Sequence, residues 1–380
     1  MRTTPVRDPS RLVAIHGASA ARDEDRAVAE LRDQILHPGA KYALVFVSSR
    51  YDLPRLGQAL LHHFDIPVYG CTAAGLIGSK GLQRGGLVGA SIGGADVVIE
   101  PHLLEPLDGG WEVFREALGA ARDRAESLPD SMHTAGILLT DGLSRAEERL
   151  TSLVYQSLGD IPIVGGSAGD DLRFERTSVY FEGRFRSNAA LFLMFSSRAS
   201  LATLRAQHHR PTEKKATVTD SDPERRLLLE LQGEPAAEYY AELVGVPVKE
   251  LNPNVFSRYP LLVRIGDEQY VRAVQKMHSD NSLELFCALE TGLVLAIGEP
   301  ENPLPELERA LTAATASVGE PAIVLGFDCV LRRLHFELER IDREVGELLR
   351  HHRVLGFNSY GEQCNAIHMS QTFTALAIGG

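Results

Sequence analysis

Four kinds of side chain in this 380-residue sequence could bind a ligand or make a bond. Histidine comes first. Over residues 201–210, strand alternation puts Ala202, Leu204, Ala206 and His208 on one face and turns His209 to the other. His208 therefore ends an apolar face, where a buried imidazole ligand would sit. His368 lies in the uncharged final segment, on a strand face shared with Ser370, Thr372 and Thr374, with Ile367, Met369 and Phe373 opposite. A polar stripe of that kind suits a lined cavity. The plainer reading of either residue is a core histidine with hydrogen-bond partners. His62–His63 and His351–His352 fall at the ends of helix-patterned segments, where a cation offsets the helix dipole. Cys71 follows a glycine after a buried apolar run. As a nucleophile it would need a base and an oxyanion site, and no histidine is near it in sequence. Its plainer reading is a small packed residue. Thr72, Ser167 and Asp170 lie in glycine-rich strand ends, where they and the backbone amides could face a small ligand.

These residues need a scaffold, and the sequence repeats one. Residues 66–78 read IPVYGCTAAGLIG; residues 161–169 read IPIVGGSAG, residues 353–361 RVLGFNSYG and residues 321–329 PAIVLGFDC. Each is a short apolar run, a glycine, then small or polar residues. Upstream of each lies a helix-patterned segment and, before it, another apolar run. Such a unit predicts two parallel strands joined by a helix, with the glycine as a turn at the strand end. In open α/β sheets ligands lie beyond the carboxyl ends of the strands, so the glycine turns are expected to build a pocket. The helix over 54–64 is expected to bury Leu56, Leu60 and Leu61, and Ser144 with Glu147 has the spacing of a capping box. The fold class expected is α/β: two halves of repeated βαβ-like units in mixed sheets, with added antiparallel strands, forming a layered sandwich. The boundary is placed near 219–233, giving domains 1–225 and 226–380.

Composition bounds the function. The net charge is −12, which argues against nucleic acid or an anionic membrane as partner. Residues 1–10 contain no apolar core of a signal peptide, and no apolar run reaches membrane-spanning length. Four widely spaced cysteines, Cys71, Cys287, Cys329 and Cys364, make no CxxC pair and indicate a reduced, cytoplasmic protein. There is no P-loop, HExxH or dinucleotide fingerprint. The glycine-rich string after Ile163 precedes strand-like residues, so phosphate binding at a helix terminus is not expected. An enzyme using Cys71 or Cys329 lacks a visible base, and a non-enzymatic binding protein is the better expectation.

The strings YALVFVSSRYD, YGCTAAGLIG and VGGSAGDD resemble the amino-terminal FIST domain; GEPAAEYYAELVG and the ending GFNSYGEQCNAIHMSQTFTALAIGG resemble the carboxy-terminal one. That resemblance implies a bacterial sensory module for small ligands, amino acids among those suggested, with output through a partner. AQHHRPTEKKATVTDSDPERR and the ending are similar to the nitric-oxide-sensing haem proteins of this group, which signal through histidine kinases and affect biofilm behaviour. This closer resemblance implies one non-covalent haem b per chain with a histidine axial ligand. The two candidates are His208, preferred for its apolar face, and His368. The alternative is a haem-free sensor of a small metabolite using Thr72, Ser167 and Asp170. Oligomeric state is left open, a homodimer included.

Overall fold

The computed structural model describes residues 11–94 and 96–380; residues 1–10, read above as carrying no secretory signal, lie outside them. Three six-stranded sheets each hold one parallel pair, and a fourth, larger sheet is antiparallel. The parallel pairs are Ala40–Ser48 with Val68–Ala73, His133–Thr140 with Ile163–Ser167, and Pro321–Cys329 with Val354–Ser359. The first two are crossed by helices Leu53–His63 and Glu147–Leu158, the third by Val330–Leu338 and Asp342–His351. Asp52 starts the first crossover helix by accepting from the Arg55 amide, with Pro54 in the first turn, where its missing N–H costs nothing.

Strand alternation sorts the core. Leu44, Phe46, Ile137, Leu139, Leu325 and Phe327 point inward from all three sheets into one buried cluster. Their neighbours Ala43, Val45 and Val47, Leu138, and Val324 face outward under the helices of their own sheets. The mixed α/β class and layered arrangement are thus as expected. Among the described residues no helix is long and apolar enough to cross a membrane.

Several expectations need correction. The recurrent glycine is not a turn. Gly70, Gly165 and Gly356 lie inside the second strand of each parallel pair, opposite Val45, Leu138 and Gly326. A Cβ on them would sit 1.7, 2.1 and 1.7 Å from the carbonyl oxygens of those partners. The unit expected to close at residues 321–329 is not a crossover from the apolar run that precedes its helix. Val294–Pro300 pairs antiparallel with His209–Asp222 and Leu261–Ile265, in a different sheet from Pro321–Cys329. The capping box does not form: the helix starts at Glu147 without a side-chain cap, because Arg145 takes a left-handed φ of 58° just before it. Leu61 is 57% exposed. The segment expected to run as one strand from residue 201 breaks between Leu201–Ala206 and His209–Asp222, which takes His208 off the strand face assigned to it. The ending is a hairpin, Glu362–Cys364 with Ile367–Met369, followed by the strand Phe373–Gly379. Asn365 and Gln371 turn at φ 51° and 52°.

The two halves exchange strands. Gly75–Gly78 pairs with Val354–Ser359, Glu362–Cys364 pairs with Ile163–Ser167, and Leu201–Ala206 pairs with Phe373–Gly379.

Candidate functional site

The carboxyl ends of the parallel strands converge. The Ala74 amide donates to Asn358 O at 3.0 Å, Gly169 to Thr72 O at 3.2 Å, Ser167 to Gly361 O at 2.8 Å and Cys329 to Thr372 O at 3.1 Å. The loop after Ile163–Ser167 is anchored there by Asp170. One carboxylate oxygen of Asp170 accepts from the Phe174 amide at 3.0 Å and from the Tyr360 hydroxyl; the other accepts from Glu175 and Arg176 amides at 2.7 and 2.9 Å. The Tyr360 hydroxyl in turn accepts from the Leu172 amide at 2.8 Å, and Arg333 reaches Asp171 at 3.0 Å. Burial, and then Asp170 itself, keep the Tyr360 phenol protonated far above its ordinary range. Outside this anchor lies a cavity of about 340 Å³ at the end of the Ala40–Ser48 strand, lined by Ser49, Tyr51, Asp52, Leu53, Pro54, Arg173, Glu175 and Arg176 together with Asp170. Arg173 spans it, donating to Ser49 Oγ at 2.6 Å and to Asp170 O at 3.1 Å.

Thr72 and Ser167 are fully buried behind this cavity. Thr72 Oγ1 accepts from the Ser178 amide at 3.1 Å, and Ser167 Oγ from Gln363 Nε2 at 2.9 Å. Both therefore hold strand ends together. Residues 165–169 spell G-x-S-x-G, as do residues 89–93. A nucleophile elbow also needs a strand-to-helix turn that exposes the serine. Ser167 is buried and a loop follows it; Ser91 is buried within the strand Leu87–Gly93. Cys71 packs in the shared core, and burial pushes its thiol well above the ordinary range; Cys329 behaves alike. Neither is a ready nucleophile.

His208 is held in a cluster. Its ring lies 4.2 Å from that of His209, 5.1 Å from His335 and 6.2 Å from Phe336. Nδ1 accepts from Arg332 Nη1 at 2.8 Å, and Nε2 is buried without a hydrogen-bond partner. Burial, then His209, Arg332 and His335, hold it neutral, well below the usual imidazole range. With Nδ1 accepting from Arg332, the neutral ring carries its proton on Nε2, so neither nitrogen presents a free lone pair, and a haem also needs an open slot beside it. His208 has aromatic rings around it and a guanidinium against Nδ1. The neighbouring cavity, about 320 Å³, is lined by His335 and not by His208. His368 is also enclosed, with Gln363 Nε2 3.3 Å from Nδ1 and Phe286 O 3.4 Å from Nε2. Burial pulls its basicity down, but Cys287, Glu148 and Glu147 outweigh that and raise it to about 9. As arranged, neither residue fits the axial position of a haem.

Sequence reasoning missed the buried charges. Asp328 and Arg332, both 1% exposed, pair at 2.6 Å. Glu362 is buried at the strand ends, and Glu148 meets Cys287 and His368. The signal was there in part. Asp328, Arg332, Arg333 and His335 interrupt an apolar stretch, and Glu362 is the one acid between Val354 and Gly380. Buried charges need partners, so charges inside apolar runs mark such clusters.

The FIST N domain matches residues 41–234 and the FIST C domain residues 236–365. An uncharacterized protein of Methanocaldococcus jannaschii is 25% identical over 138 residues, which is 36% of this chain. The match spans 26% of that protein's length, about a quarter of it. With both domain matches in order along the chain, the protein belongs to the FIST family, whose domains are sensory modules for small ligands in signal transduction.

Proposed function

We propose that this FIST chain is a haem-free receptor for a small zwitterionic, amino-acid-like ligand, bound at the carboxyl end of the Ala40–Ser48 strand. The observation that carries the reading is the mixed-charge cavity there. Asp52 and Glu175 offer carboxylates to an ammonium group, Arg173 and Arg176 offer guanidinium groups to a carboxylate, and Ser49 and Tyr51 supply hydroxyls. The position also gives a route for a signal. Asp170, Arg173, Glu175 and Arg176 of the 170–176 loop line the cavity, and the loop is gripped from the other half by Tyr360 and Arg333. A ligand that draws Arg173 or Arg176 toward itself biases this loop and, through it, the surface of the carboxy-terminal half. Output then passes to a signalling protein in the cytoplasm, a histidine kinase being the partner class that the family resemblance suggests.

The test is a panel of free amino acids against the purified protein, read as thermal stabilisation and by calorimetry. A true ligand at about 100 times its Kd adds about 2.7 kcal/mol of stability. Arg176→Ala should abolish that gain, and Asp52→Asn, which keeps an N-cap acceptor, should abolish it as well. Haem added to the same protein discriminates the alternative. A Soret band lost in His208→Ala or His368→Ala, with no response to amino acids, would restore the haem and nitric oxide reading.

A further inference from the structure

We infer that Glu148, Cys287 and His368 form a binding site for one zinc-like divalent cation, which fastens the amino-terminal half to the carboxy-terminal half. The site is separate from the cavity above, and the inference does not rest on the receptor reading. One ligand atom from each of the three residues lies within 4.8 Å of the other two. Glu148 comes from the first turn of helix Glu147–Leu158, Cys287 follows the strand Leu283–Leu285, and His368 sits on the strand Ile367–Met369. Cys287 is 1% exposed and His368 4%. A thiolate, an imidazole and a carboxylate select zinc over calcium or magnesium, which prefer all-oxygen sites. Three protein donors leave a fourth position for water or for Ser370 Oγ, which is 3.0 Å from Cys287 Sγ.

The surroundings are built to orient these donors. Gln363 is at Nδ1 of His368, and its own Oε1 is buried without a partner. Gly361 is what lets the ring in: a Cβ there would lie 2.3 Å from Cε1 and 2.8 Å from Nε2 of His368. Charge balances too. The thiolate and the Glu148 carboxylate neutralise a divalent cation. Arg226 donates with one Nη2 to Glu147 at 2.6 Å and to Glu148 at 2.5 Å, so it keeps Glu147 when Glu148 turns to the ion. The charged groups facing the cluster are Glu147, Glu148, Arg226 and Arg272.

Chelator-stripped full-length protein titrated with Co²⁺ alone should take up one equivalent. It should develop a thiolate charge-transfer band in the near ultraviolet and the visible bands of a tetrahedral site. Zn²⁺ should bleach the spectrum. Cys287→Ser should remove the charge-transfer band, His368→Gln should lower uptake, and Gln363→Leu should weaken binding about 10- to 100-fold. Cys364→Ser, outside the cluster, should leave the spectrum unchanged. No band in the folded wild-type protein overturns the proposal, as does a band that survives Cys287→Ser. If Cys287→Ser does not fold by circular dichroism, an unchanged affinity in folded His368→Gln overturns it equally.

Discussion

Glu362 shows how much a single residue at the converging strand ends can set. It is fully buried, and its carboxyl accepts from Ser359 Oγ, from the Thr372 amide at 3.1 Å and from Thr372 Oγ1 at 2.7 Å. Burial raises its pKa from 4.5 to about 7 against those hydrogen bonds, with Asp328 adding to the rise. The fold therefore prefers the protonated acid. Its stabilising contribution is complete below the unfolded value of 4.5 and is lost as pH climbs through about 7. The shift corresponds to roughly 3 kcal/mol across that window. Glu362→Gln stays neutral and can meet Ser359 by a turn of that hydroxyl. The difference in unfolding free energy between wild type and Glu362→Gln should therefore move in the variant's favour by that amount between pH 4.5 and pH 7.5. A difference that stays flat with pH would show the carboxyl to be unshifted. The residue itself was legible, as a lone acid in an uncharged ending. Its partners were not, because Ser359 is local but the contact with Thr372 depends on the left-handed turn at Gln371. The same holds for His368. Its polar stripe could be read, whereas Cys287 and Glu148 reach it only through tertiary contacts.

At the scale of elements, the repeated strings did reveal three parallel pairs and their helices, because buried strands and amphipathic helices carry distinct periods. The glycine within each string was legible as a repeat and misread as a turn. Spacing alone does not separate a glycine that bends the chain from one that admits a neighbouring carbonyl, and Gly70, Gly165 and Gly356 do the latter. The unit expected to close at residues 321–329 failed for a related reason. An apolar run, a helix and another apolar run have one pattern whether or not the two strands share a sheet, and the pairing of Val294–Pro300 with His209–Asp222 is decided far away in the chain. The glycine assignment is testable. Gly70→Ala, Gly165→Ala and Gly356→Ala each place a methyl against the partner strand's carbonyl and should cost about 3 kcal/mol. That cost should appear as a lower denaturant midpoint with an unchanged slope. Gly245→Ala is the control for a turn glycine: at the left-handed cap after helix Ala236–Val244, with φ 76° and ψ 32°, its Cβ meets nothing within 4 Å, so only the backbone preference is lost, about 1–2 kcal/mol. A loss at Gly70 no larger than at Gly245 would return the repeat to a turn role.

At the scale of the whole molecule, the exchanged strands decide how the chain unfolds. The FIST N and FIST C matches suggest two units in sequence, yet Gly75–Gly78 is completed by Val354–Ser359, and Ile163–Ser167 by Glu362–Cys364. The inner faces of all three six-stranded sheets also share one core. Removing either half would leave open strand edges and strip Phe46, which lies 4.8 Å from Phe357, of that packing. Chains of this length commonly melt domain by domain, but here the expectation is one transition. Trp111, the sole tryptophan, packs against Phe114 at 5.8 Å and Arg149 at 4.2 Å and so reports the amino-terminal half. Its fluorescence should change at the same denaturant concentration at which residues 354–359 lose hydrogen-exchange protection. An intermediate in which those residues exchange freely while Trp111 keeps its native emission would mean that the strand exchange contributes little to cooperativity. It would also remove the physical basis for a signal passing from the 170–176 loop through Tyr360 and Arg333, because a loop gripped by an independently melting half could not bias it.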